Sequence, residues 1–337
     1  MAGVRRDMWT IPLWLKLPKE MVMVKTIMPS GNGNINDDVT GGSPAVTSSG
    51  ISRGMMIIAL VFFMGLMSAG YAINVYTQSV DALVEDTKTS AEQFEKLFND
   101  RVETRLETLK LAMLSLLQNG AMVSAFVRDD RAALIASVAP FFQDVLLKQF
   151  QITKLGFFTP PATVYLQADD LGVFGADLSL IRKTVATATG RGEVVIGVEA
   201  GKDIIGLRVV IPIVDKNRVQ GAISVTDPIN NALDHASEIS GLEYAVGLDR
   251  ERAEQTEHMF DPKIDVIRDS DVYYIYSSPT LHQLFRNMDF NPRSLHEALV
   301  PSGNRKMFVK SFSVKNFAGK PTMVVSSVSD LTEALIE

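Results

Sequence analysis

Residues 204–226 read IIGLRVVIPIVDKNRVQGAISVT. Two β-branched runs, Ile204–Val214 and Gln220–Thr226, flank the polar turn Asp215–Arg218, the pattern of an antiparallel hairpin. Upstream, Glu193–Glu199 is a third such run, set off by Gly190, Gly192 and Gly201. Further back, Ile152–Thr159 alternates, Pro160-Pro161 breaks the chain, and Thr163–Gln167 resumes. A short helix is expected around Leu178–Thr189 and another over Ile229–Ser240, closed by Gly241. The pattern then restarts: strands Glu243–Leu248 and Asp271–Ser277, helices near Leu281–Met288 and Ser294–Leu299, and strands Lys306–Val314 and Thr322–Ser327 around the turn Lys315–Pro321. The last residues, Asp330–Glu337, read as the first turns of a helix. Two α+β blocks with hairpin connections follow from this order. No Gly-rich strand–loop–helix phosphate motif supports a parallel nucleotide-binding sheet.

The N-terminal half is helical. Asp81–Asn119 contains no Pro or Gly, and Leu83, Thr87, Ala91, Phe94, Phe98, Val102, Leu106, Leu109, Met113 and Leu116 recur every three or four residues, making one apolar stripe. So long a stripe is expected to pack on a neighbouring domain, on a second copy of the chain, or on both. Gly120 closes this stalk. A second amphipathic helix is expected over Asp130–Gln149, with Leu134, Val138, Phe141, Val145 and Leu146 as its face.

Before the stalk stands Met55–Val75, MMIIALVFFMGLMSAGYAINV, 21 residues without a charge. At 1.5 Å per residue it crosses a hydrocarbon core of roughly 30 Å. It begins too far from residue 1, and is too long, for a signal peptide. Arg5, Arg6, Lys16, Lys19, Lys25 and Arg53 precede it, whereas Asp81, Glu85 and Asp86 follow before Lys88. That bias places the N-terminus in the cytoplasm and residues 76–337 outside. In a bacterial cell these would lie in the periplasm, on a protein crossing the inner membrane once. Residues 1–29, with Trp9 and Trp14, read either as a membrane-surface segment or as an unstructured tail. Residues 30–50 are a Gly/Ser/Asn linker. The expected division is thus 1–54 tail and linker, 55–75 span, 76–119 stalk, 120–240 first module and 241–337 second module.

The chain of 337 residues has 33 Lys+Arg against 39 Asp+Glu, a formal net charge of −6, which disfavours broad nucleic-acid binding. With no cysteine, disulfides, thiol nucleophiles and Cys-based metal sites are excluded. His235, His258, His282 and His296 stand too far apart in sequence for a ligand pair such as His-x3-His. No nucleophile–base constellation emerges, so the reading is non-enzymatic and calls for no cofactor or metal.

Several motifs together resemble the ligand-sensing Cache domains of bacterial sensor kinases and chemoreceptors, in particular the double-Cache type. They are Phe174-Gly-Ala-Asp-Leu-Ser179, Arg182-Lys-Thr-Val185, Gly197-Val-Glu-Ala-Gly201, Gly206-Leu-Arg-Val-Val-Ile-Pro212, Gly221-Ala-Ile-Ser-Val225 and Phe317-Ala-Gly-Lys-Pro321. The resemblance implies an α+β fold: one transmembrane helix, a long stalk helix and two stacked PAS-like antiparallel-sheet modules. It further implies an extracytoplasmic small-molecule sensor with its pocket on the membrane-distal module's sheet. Two departures stand out. Where similar domains carry an Arg and a His after the Pro-containing turn, this chain has Gln167 and Asp169. The chain also stops at Glu337 without a return span or output domain, which implies either a fragment or a sensor signalling through a membrane partner. The alternative function is a non-sensing scaffold that retains the fold.

The candidate ligand-binding residues are Tyr165, Gln167, Arg182 and Arg208. Arg208 interrupts an apolar strand and must be paired or stand at a mouth, because a bare buried cation is costly. It either holds a ligand carboxylate or pairs with Glu199 or Asp177. Arg182 belongs to a pocket-covering helix or to a solvated face. Tyr165 and Gln167, two apart in a strand, are expected on one face, either lining the pocket or packed in the core. Phe174 is expected in the core. The run Asp249–Glu257 reads as a solvated loop or helix face. The helix stripe favours a homodimer.

Overall fold

The computed structural model describes residues 53–201, 204–256, 261–268, 270–293 and 296–335. The expected tail and linker, up to residue 52, and His258 lie outside them. The chain divides into two units, Met1–Phe63 and Met64–Glu337. Of the first, Arg53–Phe63 are described: an apolar helical stretch with every side chain exposed. They open helix α1, Arg53–Leu116, whose apolar N-terminal part is long enough to cross a membrane.

In the second unit, α1 buries Thr87, Ala91, Phe94, Phe98, Leu106, Leu109, Met113 and Leu116. These are eight of the ten stripe residues read from the sequence, and Leu83 and Val102 pack partly against the same core. The stripe is satisfied within the chain.

A helix that the sequence reading missed follows, α2, Gly120–Val127. Gly120 does not close the stalk alone: the Asn119 side chain accepts the Met122 N–H at 3.2 Å and starts a new helix. Helix α3, Arg131–Phe141, is capped by Asp130 and runs into a π-helical turn, Phe142–Leu147, then α4, Lys148–Phe150. Pro140 sits just before the π turn, and the buried face becomes Leu134, Val138, Phe142 and Leu146. Phe141 and Val145, expected on that face, are only half-buried, because the wider turn re-phases the helix.

The first sheet contains β1 (Lys154–Thr159), β2 (Thr163–Gln167), β3 (Val195–Ala200), β4 (Ile205–Asp215) and β5 (Arg218–Pro228), in the order β2-β1-β5-β4-β3. Helix α5, Lys183–Arg191, packs on one face. In the β4–β5 hairpin Asp215 pairs with Arg218, leaving Lys216 and Asn217 at φ 47° and 61°, the left-handed pair that a tight two-residue turn needs.

Helix α6, Asn230–Ser240, leads into β6 (Glu243–Asp249), α7 (Arg250–Gln255), β7 (Val266–Arg268), β8 (Asp271–Tyr276), α8 (Pro279–Asn287), β9 (Glu297–Ser302), β10 (Arg305–Lys315) and β11 (Pro321–Asp330). The second sheet runs β7-β8-β6-β11-β10-β9. With β7 set aside, its order reproduces the first sheet's. The helix expected over Ser294–Leu299 is corrected, since Glu297 onward pairs with β10 as an edge strand. Short β7 was not anticipated. The C-terminal turns reduce to a 3-10 helix, Glu333–Leu335, among the described residues. The largest apolar core gathers α1, α2 and α3 with residues of both sheets, among them Phe157, Val209, Tyr244 and Phe312.

Candidate functional site

The two faces of the first sheet differ in content. Phe157, Leu166, Val209, Ile223 and Val225 join the core shared with α1. On the α5 face, Phe158, Ala162, Val164, Val185, Val210 and Ala222 form a small separate cluster. That cluster stops short of one end of the sheet, where a cavity of about 60 Å³ remains. Gly156, Gln167, Arg208, Ser224 and Thr226 line it from the strands, Arg182 from the turn before α5, and Lys154 with Asp169 from the rim.

Arg208 is the most constrained of these residues, 4% exposed. Its Nε lies 3.0 Å from Glu199 Oε2, and its Nη1 donates to Ser224 Oγ at 3.3 Å. Glu199 and not Asp177 is therefore the internal partner. Antiparallel pairing sets Gly197 opposite Arg208 and Glu199 opposite Gly206, so the two charges meet diagonally across β3 and β4. The Glu199 carboxylate also accepts the Thr184 N–H and the Thr184 hydroxyl, each at 2.8 Å. Burial, and then the nearby Arg182 cation, lower the Arg208 guanidinium to about 9 despite Glu199, leaving it charged at neutral pH. Arg182 reaches toward the cavity over Gly201, where a Cβ would collide with its Nη1.

The strand alternation that put Tyr165 beside Gln167 fails. Phe157 pairs with Leu166 and Phe158 with Val164, so Tyr165 is the extra residue of a β-bulge. Gln167 faces the cavity, whereas Tyr165 lies in the core on the opposite face, edge-on to Phe126 at 5.1 Å. Its burial, and then Asp129, push the phenol up to about 12. Phe174 is not core but 61% exposed, with the Arg131 guanidinium 5.3 Å from its ring centre.

Lys154, which the sequence reading passed over, donates to Asp169 Oδ2 at 2.7 Å. A charge opening an otherwise apolar strand was its only signal. The run after Asp249 is more than a solvated face, because Arg252 on α7 donates to the Ala200 carbonyl at 2.9 Å and the Ile181 carbonyl at 3.2 Å. Among the described residues no three His, Cys, Asp or Glu side chains gather for a metal ion. The cavity's guanidiniums, hydroxyls and amide offer charge-assisted hydrogen bonds to an oxyanion.

A family model described as the double sensory domain of two-component sensor kinases, dCache_3, matches residues 87–273. Comparison with curated proteins finds no match. Among solved structures, the chain is similar to the sensor domain of the Vibrio cholerae histidine kinase DctB, with 10% identity, 74% of this chain and 98% of that chain covered, and a TM-score of 0.48. It is similar to the periplasmic domain of Vibrio cholerae LuxQ, with 12% identity, coverage of 72% and 99%, and a TM-score of 0.43. It is also similar to the ligand-binding domain of the Campylobacter jejuni chemoreceptor Tlp3 in complex with L-valine, with 11% identity, coverage of 74% and 98%, and a TM-score of 0.30.

Proposed function

The chain belongs to the dCache_3 family of double sensory domains, and from that premise we propose that it is a membrane-anchored extracytoplasmic sensor. Its small-molecule ligand binds on the α5 face of the first sheet, at Gln167, Arg182 and Arg208. The observation that carries this reading is a buried guanidinium opening on a cavity beside a second arginine and two hydroxyls. Such a site favours a ligand with an anionic group, and binding shifts the populations of two conformations by its differential affinity for them. Tyr165, across the sheet from the cavity, acts only through packing.

The exposed apolar stretch of α1 and the cations before it support a single span with the N-terminus in the cytoplasm. The proposal keeps the modules 120–240 and 241–337, a reading supported by one sheet within residues 154–228 and a second within 243–330. A homodimer and a membrane signalling partner complete the proposal. The α1 stripe no longer argues for the dimer, since the chain's own sheets fill it.

The test is calorimetric titration of the full chain in lipid nanodiscs with small carboxylates, phosphate and amino acids. Arg182→Met and Gln167→Leu are each expected to weaken binding by about tenfold or more, the worth of a charge-assisted hydrogen bond. A second reading, a non-sensing interaction protein, draws on the Arg208–Glu199 pair, which satisfies the cation without a ligand. No binding by the folded chain decides for that reading.

A further inference from the structure

Strand β3 ends the first sheet, and an edge strand ordinarily leaves alternate N–H and C=O groups without strand partners. Here part of that edge is taken by the second half of the chain. The Val198 carbonyl accepts the Phe317 N–H at 3.1 Å, and Val198 forms a parallel bridge with Asn316. Two residues on, on the same side of the strand, the Ala200 carbonyl accepts Arg252 Nη2. Phe317 sits at the tip of the β10–β11 hairpin, which Asn316 braces by accepting the Ala318 and Lys320 N–H groups at 2.9 and 3.1 Å. Gly197, at φ 145°, permits the approach, because a Cβ there would stand 2.7 Å from the Phe317 Cα. The hairpin in turn rests on the helix: the Phe312 ring of β10 lies 6.3 Å from Phe94 and 5.7 Å from Phe98 of α1.

Between the two edge carbonyls stands Glu199, whose side chain meets Arg208 and Thr184. We infer that Glu199 is a positioning residue that couples the occupancy of the cavity to the joint between the two sheets. The inference rests on the reading that the cavity binds a ligand. An anion that takes Arg208 competes with Glu199 for the guanidinium. As Glu199 shifts, the flanking peptides of Val198 and Ala200 shift with it, and these hold Phe317 and Arg252. Coupling of this kind is reciprocal, so loosening the joint must also change the cavity.

Hydrogen exchange at the Phe317 amide, in the full chain in nanodiscs without ligand, tests the first direction. Glu199→Gln keeps the size and removes the charge. It is expected to speed exchange at Phe317 by about tenfold or more, while Val325, inside β11, keeps its protection. Lost protection at Val325 would mean that this variant unfolds. Thr184→Val, which removes only the hydroxyl bond to Oε2, then takes its place with the same direction and a smaller effect. In the reverse direction, Arg252→Met, whose side chain lies outside the cavity, is expected to change labelling of Arg208 by phenylglyoxal at least about fivefold, the lower end of allosteric couplings. Phe317 exchange within twofold of the parent in the folded Glu199 or Thr184 variant overturns the inference, as does unaltered Arg208 labelling in Arg252→Met. Because no ligand enters, failure here leaves the sensing proposal standing, whereas a failed ligand search removes the ligand from the coupling and leaves only the linkage of Glu199 to the joint.

Discussion

The two sheets share one strand order and each carries a helix on the equivalent face, yet one is hollow there and the other solid. Under α5 the first sheet presents Arg208, Ser224, Thr226 and Gln167 to a cavity. Under α8 the second sheet presents Tyr273, Val309 and Val324, which close with Phe285 of the helix and its C-cap Met288 into an apolar cluster. Its few polar atoms satisfy one another: Ser311 and Ser326 share a hydrogen bond at 2.8 Å, and the Tyr273 hydroxyl meets Ser326 at 3.3 Å. Aromatic volume makes the difference. Phe285 packs at a tilt against Tyr273 at 4.7 Å and meets Phe290 edge-on at 5.5 Å, filling the space that the first sheet leaves open. The same topology therefore supports a site or a plain core, depending on which side chains face the helix.

The most damaging way to break the comparison is to hollow the second sheet. Phe285→Ala is expected to cost about 4–5 kcal/mol in chemical denaturation, the upper range for a fully buried aromatic. Any ligand affinity of the first sheet should stay within about twofold, since distant sites add independently. Next comes the ionic pair. Arg208→Met leaves the buried Glu199 without this cation and should cost about 3 kcal/mol. Adding Glu199→Gln removes the stranded charge, so the double variant should recover more than half of that loss. If the double variant is no more stable than Arg208→Met, the pair is not what holds this end of the sheet. A milder change makes the first sheet resemble the second. Ser224→Val fills part of the cavity and removes a partner of Arg208; stability should move by less than about 1 kcal/mol, while ligand binding weakens about tenfold or more.

Much of this architecture was legible because it is periodic. The α1 stripe, the β4–β5 hairpin and the restart of the pattern at Glu243 depend on spacing alone. Arg208 was legible as a charge inside an apolar strand, and Glu199 was one of the two partners considered for it. What escaped depends on geometry that spacing does not encode. One inserted residue moves Tyr165 to the other face from Gln167, and the π turn beside Pro140 trades Phe141 for Phe142. Strand β9 falls in the segment read as a helix, because its fate is set by pairing with β10 and not by its own composition. The joint of Val198, Phe317 and Arg252 connects residues more than fifty positions apart through backbone carbonyls, which leave no trace in side-chain pattern.

Tyr165 itself gives the smallest expected effect and the cleanest check that it belongs to the core and not to the site. Its buried hydroxyl makes no hydrogen bond of normal geometry, so Tyr165→Phe should change stability at pH 7 by less than about 1 kcal/mol. Ligand affinity should not change, because the ring lies across the sheet from the cavity. The difference emerges in alkali. Below pH 10 the phenol is neutral in the folded and unfolded chains alike, and its contribution is fully present. Between pH 10 and about 12 the unfolded chain ionises while burial, and then Asp129, hold the folded phenol neutral, so stability falls as pH rises through that window. Denaturant midpoints measured from pH 9 to 12 should therefore fall less steeply for Tyr165→Phe than for the parent. Parallel curves would mean that the phenol ionises as freely folded as unfolded, and that Tyr165 opens to solvent on the cavity side after all.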